Sequence, residues 1–269
     1  MQAVEAKGFK IPLVGLGTWS VRNPARVVEQ AIRIGYRHID TAQMYGNEAE
    51  VGEGVRNSGK RGEVVVTTKV QPTLLAPHDL ERSVKESLAR LRLDVIDLLL
   101  IHWPNPRVPL AETLGAMSKV KREGYTRAIG VSNFTVALLE EANKVSPEPV
   151  VCNQIECHPF LNQDKVIAAC KAHGVAIVAY SPIARGGATG NRILEHIGVA
   201  HAKSAAQVSL RYLVQQGIVV IPRTSKLERL EENFALFDFE LSAEEMQDIY
   251  KLAHPGGRIV DWTWSPKWD

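Results

Sequence analysis

The sequence predicts an α/β fold in which eight parallel strands alternate with helices to form a (β/α)8 TIM barrel. Three observations lead to this prediction. Short β-branched runs alternate with helical patterns along the whole chain, several strand runs are apolar throughout, and the length of 269 residues is close to the usual size of such a barrel. Strands that are apolar on both faces fit a sheet covered by helices. A doubly wound open sheet gives the same alternation, so periodicity alone leaves both architectures open.

The predicted strands are short runs rich in Val, Ile and Leu. They lie at residues 13–17, 37–40, 64–69, 96–101, 127–132, 150–155, 176–180 and 219–221. Between them, apolar residues at helical spacing predict helices, as in the stripe formed by Leu80, Val84, Leu88 and Leu91. Glycine follows several of these segments, which is a common stop signal for a helix. The helices are predicted at residues 24–34, 48–57, 79–91, 110–123, 136–145, 165–173 and 205–216.

Three segments lie outside this repeat. Residues 3–11, with Lys7-Gly8 as a turn, are predicted to form an N-terminal hairpin that closes the barrel bottom. Ser242 and Glu245 have the spacing of a capping box and predict an extra C-terminal helix at residues 242–252. The tail at residues 256–269 is loop-like and holds three of the five tryptophans. Because no linker composition interrupts the chain, residues 1–269 are predicted to form a single domain.

Composition excludes several classes of function. The formal net charge is only +2, which predicts neither a nucleic-acid nor a membrane partner. Cys152, Cys157 and Cys170 form no CxxC pair and are odd in number, so we expect a reducing compartment. The first ten residues lack the apolar core of a signal peptide, and no apolar run is long enough to span a membrane. We therefore expect a soluble, cytoplasmic protein, and the histidine and cysteine spacing predicts no metal site.

Four chemically active side chains lie at or just past the ends of predicted strands. Asp40 ends one strand and Tyr45 follows it, whereas Lys69 and His102 come at the ends of the next two strands. If the strands are parallel, these groups converge at one rim. A cation beside a phenol favours its ionised form and lowers its pKa, and a carboxylate could hold that cation as an ion pair. The set is therefore suited to delivering a proton to a carbonyl oxygen, although each group alone is more simply explained by packing or a salt bridge.

Two segments resemble phosphate-binding sites. Gly15 and Gly17 precede Asp40 as in a dinucleotide fingerprint, but the third small residue of that motif is missing, so we interpret them as close-packing glycines. The stronger signal follows the last strand, where Arg223 and Thr224 lead into a helix predicted at residues 226–233. Ser225 and Glu228 have capping-box spacing there, and Arg229 and Lys226 add charge. Helix N-termini attract phosphate, and barrels often bind it after strands seven and eight. From the charge alone, a solvated basic surface is an equal explanation.

These motifs, in this order, resemble the aldo-keto reductase superfamily over nearly the whole chain. The matching segments are GYRHIDTA at 35–42 with Tyr45, TTK at 67–69, LIHWP at 100–104, IGVSNF at 129–134, NQIE at 153–156, AYSP at 179–182 and IPR at 221–223. The resemblance implies a barrel that binds a nicotinamide cofactor, and a catalytic tetrad of Asp40, Tyr45, Lys69 and His102. In that tetrad Tyr45 is the proton donor, Lys69 lowers its pKa, Asp40 orients Lys69, and His102 hydrogen-bonds the carbonyl oxygen as a neutral imidazole.

The resemblance also implies cofactor contacts. Ser132, Asn133 and Gln154 match the residues that hold the nicotinamide carboxamide, Tyr180 the residue that stacks on the ring, and Ser181 a residue near the pyrophosphate. The residues that match the adenosine 2′-phosphate site are Arg223, Thr224 and Arg229, and this match implies NADPH. The residues that match the adenine site are Glu232 and Asn233. The family commonly has Lys-Ser at the position of Arg223-Thr224, which keeps the cation and the hydroxyl.

Within the family, the short chain and the WSPKWD ending look most like bacterial reductases of the 2,5-diketo-D-gluconate type, a group that also reduces methylglyoxal. The expected substrate is therefore a small carbonyl compound, and we expect a monomer. The candidate pocket walls, for which packing is an equal explanation, are Trp19, Met44, Trp103, His158, Trp262 and Trp264. Two rival functions stay open. Lys69 could form a Schiff base in a barrel aldolase or lyase, or the barrel could sense a nucleotide without catalysis.

Overall fold

The computed structural model describes residues 2–269 and places ten strands along the chain. The two N-terminal strands pair with each other, and the remaining eight form one sheet. The strands are β1 (Ala3–Ala6), β2 (Phe9–Pro12), β3 (Leu16–Gly17), β4 (His38–Asp40), β5 (Val65–Val70), β6 (Ile96–Ile101), β7 (Thr126–Ser132), β8 (Val150–Glu156), β9 (Ala176–Tyr180) and β10 (Val219–Val220). All eight predicted barrel strands are thus confirmed, with ends shifted by a few residues.

The eight-stranded sheet is parallel, and each strand from β3 to β10 pairs with the next one along the chain. The sheet closes on itself just before β3, where Val14 and Val220 form a parallel bridge. The N–H of Gly15 donates to the carbonyl of Val220 at 2.9 Å, and the N–H of Val220 donates to Leu13 at 2.9 Å. Sequential order with closure is the topology of a (β/α)8 barrel, so the open-sheet alternative is wrong.

The helices cover the outside of the barrel, so both faces of the strands are buried. Every residue of β6 and β8 is buried, which explains the apolar runs in the sequence. Among residues 2–269, no helix is long and apolar enough to cross a membrane. The helices are α1 (Pro24–Ile34), α2 (Glu48–Asn57), α3 (Pro77–Leu91), α4 (Leu110–Arg122), α5 (Val136–Val145), α6 (Asp164–Ala172), α7 (Arg192–Ala200), α8 (Ala205–Val214), α9 (Glu228–Phe234) and α10 (Ala243–Tyr250).

The predicted additions to the barrel are present. Strands β1 and β2 form an antiparallel hairpin whose turn residues Lys7 and Gly8 both have positive φ, as tight hairpin turns require. The hairpin contacts β9. Helix α10 begins with the predicted capping box between Ser242 and Glu245. The tail from residue 256 onward contains neither helix nor strand.

Two local predictions were wrong or incomplete. Helix α7 was not predicted, although Asn191 caps it by accepting hydrogen bonds from the N–H groups of Ile193 and Leu194. Helix α9 begins two residues later than predicted and has no side-chain cap. The Ser225 hydroxyl instead accepts the N–H of Arg22 at 2.9 Å, which ties the loop after β10 to the loop after β3.

Candidate active site

The four residues of the predicted tetrad meet at the C-terminal rim of the barrel. Asp40 is the last residue of β4, Lys69 lies near the end of β5, and His102 directly follows β6. Tyr45 lies in a short 3-10 turn after β4. The Lys69 ammonium donates to the Asp40 carboxylate at 2.6 Å and to the Tyr45 hydroxyl at 3.3 Å. Parallel strands bring their carboxyl ends to one face, and this places the four groups together.

Lys69 is fully buried, and three oxygen atoms surround its ammonium group. Besides Asp40 and Tyr45, the ammonium donates to the backbone carbonyl of Thr41 at 2.9 Å. A second donor holds the other oxygen of Asp40, because the Gln154 side-chain amide donates to it at 2.7 Å. An unpaired charge here would be very unfavourable, and these contacts compensate for the lost hydration of both ions.

Burial and charge set the protonation states around Lys69. Burial alone would lower the pKa of Lys69, but Asp40 and Tyr45 outweigh it, so the Lys69 pKa is raised and the amine stays charged. Burial raises the pKa of Tyr45, and Lys69 only partly opposes this shift. Lys69 therefore lowers the pKa of Tyr45, as expected, but burial outweighs this effect and the net shift is upward. Tyr45 is held as a protonated phenol with a cation beside its oxygen.

His102 packs edge-on against Tyr45, with ring centroids 5.6 Å apart. Burial, followed by the charge of Lys69, holds the pKa of His102 well below its ordinary value. The imidazole is therefore neutral at physiological pH. Its Nδ1 atom is buried and finds no hydrogen-bond partner among residues 2–269. A neutral ring in this position retains one N–H and can donate a single hydrogen bond.

A cavity of about 1250 Å³ opens above the tetrad. Tyr45 and His102 line it, whereas Asp40 and Lys69 lie beneath its floor. The volume exceeds the roughly 300–1,000 Å³ typical of small-molecule sites, so the cavity has room for a ligand larger than a small carbonyl compound. The other predicted residues that line it are Ser132, Asn133, Gln154, Tyr180, Ser181, Arg223, Thr224, Arg229, Trp19, Met44, Trp103, Trp262 and Trp264.

The predicted carboxamide residues form a connected hydrogen-bond network in one wall of the cavity. Asn133 has a positive φ of 64°, which asparagine tolerates better than most residues. Its amide nitrogen donates to the carbonyl of His102 at 2.9 Å, and its amide oxygen accepts the Tyr180 hydroxyl at 2.8 Å. The Ser132 hydroxyl donates to the backbone carbonyl of Gln154 at 2.8 Å. Amide and hydroxyl groups are therefore fixed beside the tetrad.

One part of the cavity lining is strongly basic. Arg223, Thr224, Lys226 and Arg229 line it from the segment after β10, as predicted from the sequence. Arginine guanidinium groups bind phosphate through two parallel hydrogen bonds, so this part suits a phosphorylated ligand. Three further cations line the cavity that the sequence did not predict, because they follow other strands: Arg22, Arg26 and Arg185.

Trp19 connects three of the loops that surround the cavity. The guanidinium carbons of Arg185 and Arg223 lie 5.1 Å and 5.2 Å from its ring centre. These distances are within the range of cation–π attraction. The two arginines approach from the loops after β9 and β10, so the tryptophan joins those loops across the cavity mouth.

Three predicted site residues do not line the cavity. His158 is wrong as a pocket wall, because it is only 2% exposed and its Nε2 lies 2.9 Å from a Glu156 carboxylate oxygen. Glu232 lies on α9, where its carboxylate accepts the Ser204 hydroxyl. Asn233, on the same helix, is buried. The adenine contacts of Glu232 and Asn233 stay a prediction.

The three cysteines are buried and free. Cys152 and Cys157 belong to or directly follow β8, and Cys170 lies on α6. Burial raises the pKa of the Cys170 thiol to about 11 and that of the Cys157 thiol to about 12. These thiols are therefore unreactive at neutral pH. Among residues 2–269, no group of three or more His, Cys, Asp or Glu residues could hold a metal ion.

Comparison with known proteins identifies the family of this chain. The model of the aldo/keto reductase family matches residues 13–254. The methylglyoxal reductase DkgB of Escherichia coli O157:H7 is 40% identical over 265 residues, covering 96% of this chain and 99% of the relative. The glyoxal reductase of Bacillus subtilis strain 168 is 42% identical over 249 residues, covering 91% of this chain and 90% of the relative.

A solved structure is equally similar. A protein with the provisional name 2,5-diketo-D-gluconic acid reductase B superposes with a TM-score of 0.98 at 45% identity, covering 100% of this chain and 98% of that one. An extensive match to the family model, relatives well above 30% identity and the same barrel all agree. The chain therefore belongs to the aldo/keto reductase family, enzymes that use a nicotinamide cofactor to reduce carbonyl groups.

Proposed function

We propose that this protein reduces small aldehydes and ketones to alcohols with NADPH, and that Tyr45 donates the proton. One observation carries the proposal. The Tyr45 hydroxyl lies at a cavity floor, 3.3 Å from a buried ammonium that is itself paired with Asp40. A phenol in this setting stays protonated until it reacts, and the adjacent cation stabilises the phenolate that proton transfer leaves behind.

The lining residues fit a nicotinamide cofactor along the length of the cavity. Near the tetrad, Ser132, Asn133 and Gln154 offer the amide and hydroxyl groups that a carboxamide needs, and Tyr180 offers an aromatic face. When bound, the cofactor supplies the hydride that reduces the carbonyl carbon. Elsewhere in the lining, the basic group of Arg223, Thr224 and Arg229 suits the 2′-phosphate that distinguishes NADPH from NADH.

Each tetrad residue has one task in this proposal. Tyr45 transfers its hydroxyl proton to the carbonyl oxygen as negative charge develops there. Lys69 offsets the charge left on the phenol oxygen, and Asp40 holds Lys69 in place. His102, kept neutral by burial, donates a hydrogen bond that orients the same carbonyl oxygen. Donors aimed at a developing oxyanion in a buried site contribute several kcal/mol to catalysis, typically about 3–4 for one donor.

The relatives support a small dicarbonyl substrate. Two of them are named for methylglyoxal and glyoxal reduction, and the structural neighbour for 2,5-diketo-D-gluconic acid. We propose that methylglyoxal or a keto-sugar acid of this kind is the substrate here. We also propose that residues 1–269 act as one domain.

The charge state of Lys69 argues against the rival function, a Schiff-base aldolase. Schiff-base formation requires a neutral amine, whereas Asp40 and Tyr45 raise the pKa of Lys69 despite its burial. Borohydride treatment in the presence of an aldehyde is therefore expected to leave Lys69 unmodified.

The direct test is NADPH consumption by the purified protein with methylglyoxal, 2,5-diketo-D-gluconate and an aromatic aldehyde, with NADH in parallel. We expect turnover with NADPH, and weaker activity with NADH because the arginines then lack a phosphate. Binding of NADPH without turnover of any carbonyl compound would instead support a nucleotide-sensing role.

Cofactor choice has its own test in Arg229→Ala. Removing one phosphate-binding cation should raise KM for NADPH about tenfold or more, the effect of losing one charge-assisted contact. KM for NADH should change little, because NADH has no 2′-phosphate. Equal effects on both cofactors would contradict the assignment of this part of the cavity.

A further inference from the structure

The C-terminal tail forms part of the cavity mouth, although it contains neither helix nor strand. Val260, Trp262 and Trp264 all line the cavity, as does Trp103, which directly follows His102. Trp103, which follows β6, packs edge-on against Trp264 with ring centroids 5.0 Å apart. Trp262 stacks parallel to Trp264 at 6.1 Å. The position of this wall thus depends on whatever holds the tail against the barrel.

The carboxylate of Glu156 is the main polar attachment of this tail. Glu156 is the last residue of β8 and is only 1% exposed. Its Oε1 accepts the backbone N–H of Ile259 at 2.7 Å, and its Oε2 accepts the N–H of Val260 at 2.8 Å. His158 contacts Oε1 through its Nε2 at 2.9 Å. One buried side chain therefore binds two consecutive amides, and the second of them belongs to the cavity-lining residue Val260.

The tail also packs closely against the barrel just before Ile259 and Val260. A Cβ atom at Gly257 would lie 1.7 Å from the carbonyl oxygen of Phe160, so the tail backbone lies directly on the loop after β8. The N–H of His254 also donates to the Phe160 carbonyl at 3.2 Å. Past the tryptophans, the Asp269 side chain accepts the N–H of Val136 at the start of α5 at 3.0 Å. The tail is thus attached on both sides of Trp262 and Trp264.

We propose that Glu156 is a positioning residue for substrate binding, which acts by holding Ile259 and Val260 so that Trp262 and Trp264 form one wall of the substrate pocket. This inference rests on the proposed function, because it assigns that part of the cavity to the substrate. The proposal also gives His158 a role, because its ring contacts and fixes the Glu156 carboxylate and does not contact substrate. Glu156 does not line the cavity, and its hydrogen bonds to Ile259 and Val260 connect it to the tryptophan wall.

The test is Glu156→Gln, which keeps the side-chain shape. An amide offers one acceptor oxygen and one NH2 donor, so one of the two tail N–H groups would face another donor. Loss of a hydrogen bond to a charged group should speed hydrogen–deuterium exchange at Ile259 and Val260 by about tenfold or more. With the wall loosened, KM for the carbonyl substrate should rise about tenfold, while kcat and the Kd for NADPH stay within about twofold.

A double-variant comparison separates this role from a general loss of stability. If Glu156 acts through the two tryptophans, then Glu156→Gln added to Trp262→Ala/Trp264→Ala should raise KM no further. Asp97→Asn is the matched control. Asp97 is also a buried acid, but it lies at the opposite end of the barrel, where it accepts the N–H of Val66 and pairs with Arg61 and Arg127. It should lower stability without changing tail exchange or KM.

Gly257→Ala provides an independent disturbance if Glu156→Gln fails to fold. The added Cβ cannot fit against Phe160, so this variant should displace the tail and give the same rise in KM. Unchanged exchange at Ile259 and Val260, or a KM equal to that of the wild type in a folded Glu156→Gln variant, would overturn the proposal. The exchange measurement needs no turnover, so failure of the inference is distinguishable from failure of the proposed function.

Discussion

Lys69 is the residue on which the arrangement of the site depends, because its buried charge is stable only with all of its partners in place. Asp40 neutralises it, and Gln154 in turn holds the second oxygen of Asp40 at 2.7 Å. This last contact joins the predicted carboxamide residues to the tetrad. Gln154 lies 114 positions from Asp40 in the chain, so no spacing in the sequence could indicate it.

Asp40→Asn tests this dependence. Without its counter-ion, the buried Lys69 should lose its proton near neutral pH, because burial then dominates its pKa. We expect kcat to fall by about 10² or more and the free energy of unfolding to fall by about 3–5 kcal/mol. Steady-state kinetics and urea unfolding measure the two effects. A kcat within about threefold of the wild type would show that the ion pair has no part in catalysis.

The sequence predicted which residues form the site where those residues lie at strand ends. It did not predict how deeply each residue is buried. All four tetrad residues lie at or just past the ends of predicted strands, so their meeting point follows from parallel topology. The raised pKa of Tyr45 and the burial of His158 depend on atoms from distant segments. The basic residues Arg22, Arg26 and Arg185 carry a weak signal, since each lies shortly after a predicted strand near the same rim.

At the scale of elements, the strands and most helices follow directly from the sequence, because hydrophobic period and glycine stops are local signals. Helix α7 was missed because a glycine-rich loop precedes it, although Asn191 followed by Leu194 and Ile197 has the cap and the apolar spacing of a short helix. The start of α9 was misplaced because the Ser225 hydroxyl binds a distant N–H, that of Arg22.

Helix packing predicts opposite effects on stability for alanine substitutions at two helical glycines. A Cβ at Gly52 in α2 would lie 2.0 Å from the carbonyl oxygen of Leu91, at the end of α3. Gly52→Ala should therefore force the two helices apart and lower the free energy of unfolding by about 1–3 kcal/mol. Gly115 in α4 is the matched control, since nothing lies within 4 Å of its added Cβ.

Gly115→Ala should stabilise the protein by about 0.5–1 kcal/mol, because alanine restricts the unfolded chain and favours the helix. Urea unfolding of both variants beside the wild type measures the difference. If Gly52→Ala unfolded at the same urea concentration as Gly115→Ala, the close contact between α2 and α3 would be contradicted.

At the scale of the whole molecule, the barrel buries neutral histidine in its interior and should lose stability in acid. His38 is fully buried, and burial lowers its pKa to about 4, from an ordinary value of 6.5. Above about pH 6.5 both the folded and the unfolded chain hold this ring neutral. As pH falls toward 4, only the unfolded chain takes up a proton, so the free energy of unfolding decreases.

His38→Gln measures this contribution. Between pH 7 and pH 5, protonation of His38 in the unfolded chain should lower the free energy of unfolding of the wild type by about 2 kcal/mol. The variant lacks this contribution, so its free energy of unfolding should fall by about 2 kcal/mol less. Urea unfolding at the two pH values gives the change in the free energy of unfolding for each protein. A loss of stability that the substitution causes equally at both pH values cancels in this comparison. An identical pH dependence in the two proteins would contradict the assignment of His38 as a buried neutral ring.

In the proposed mechanism, Tyr45 gives its proton to the substrate oxygen at a site prepared by Lys69. The most direct measurement is kcat of Tyr45→Phe with NADPH and methylglyoxal, together with the Kd for NADPH. Phenylalanine keeps the ring beside His102 and removes only the hydroxyl. We predict that kcat falls by about 10²–10⁴ while the Kd changes less than about twofold. A kcat close to that of the wild type would contradict this mechanism and require a different proton donor.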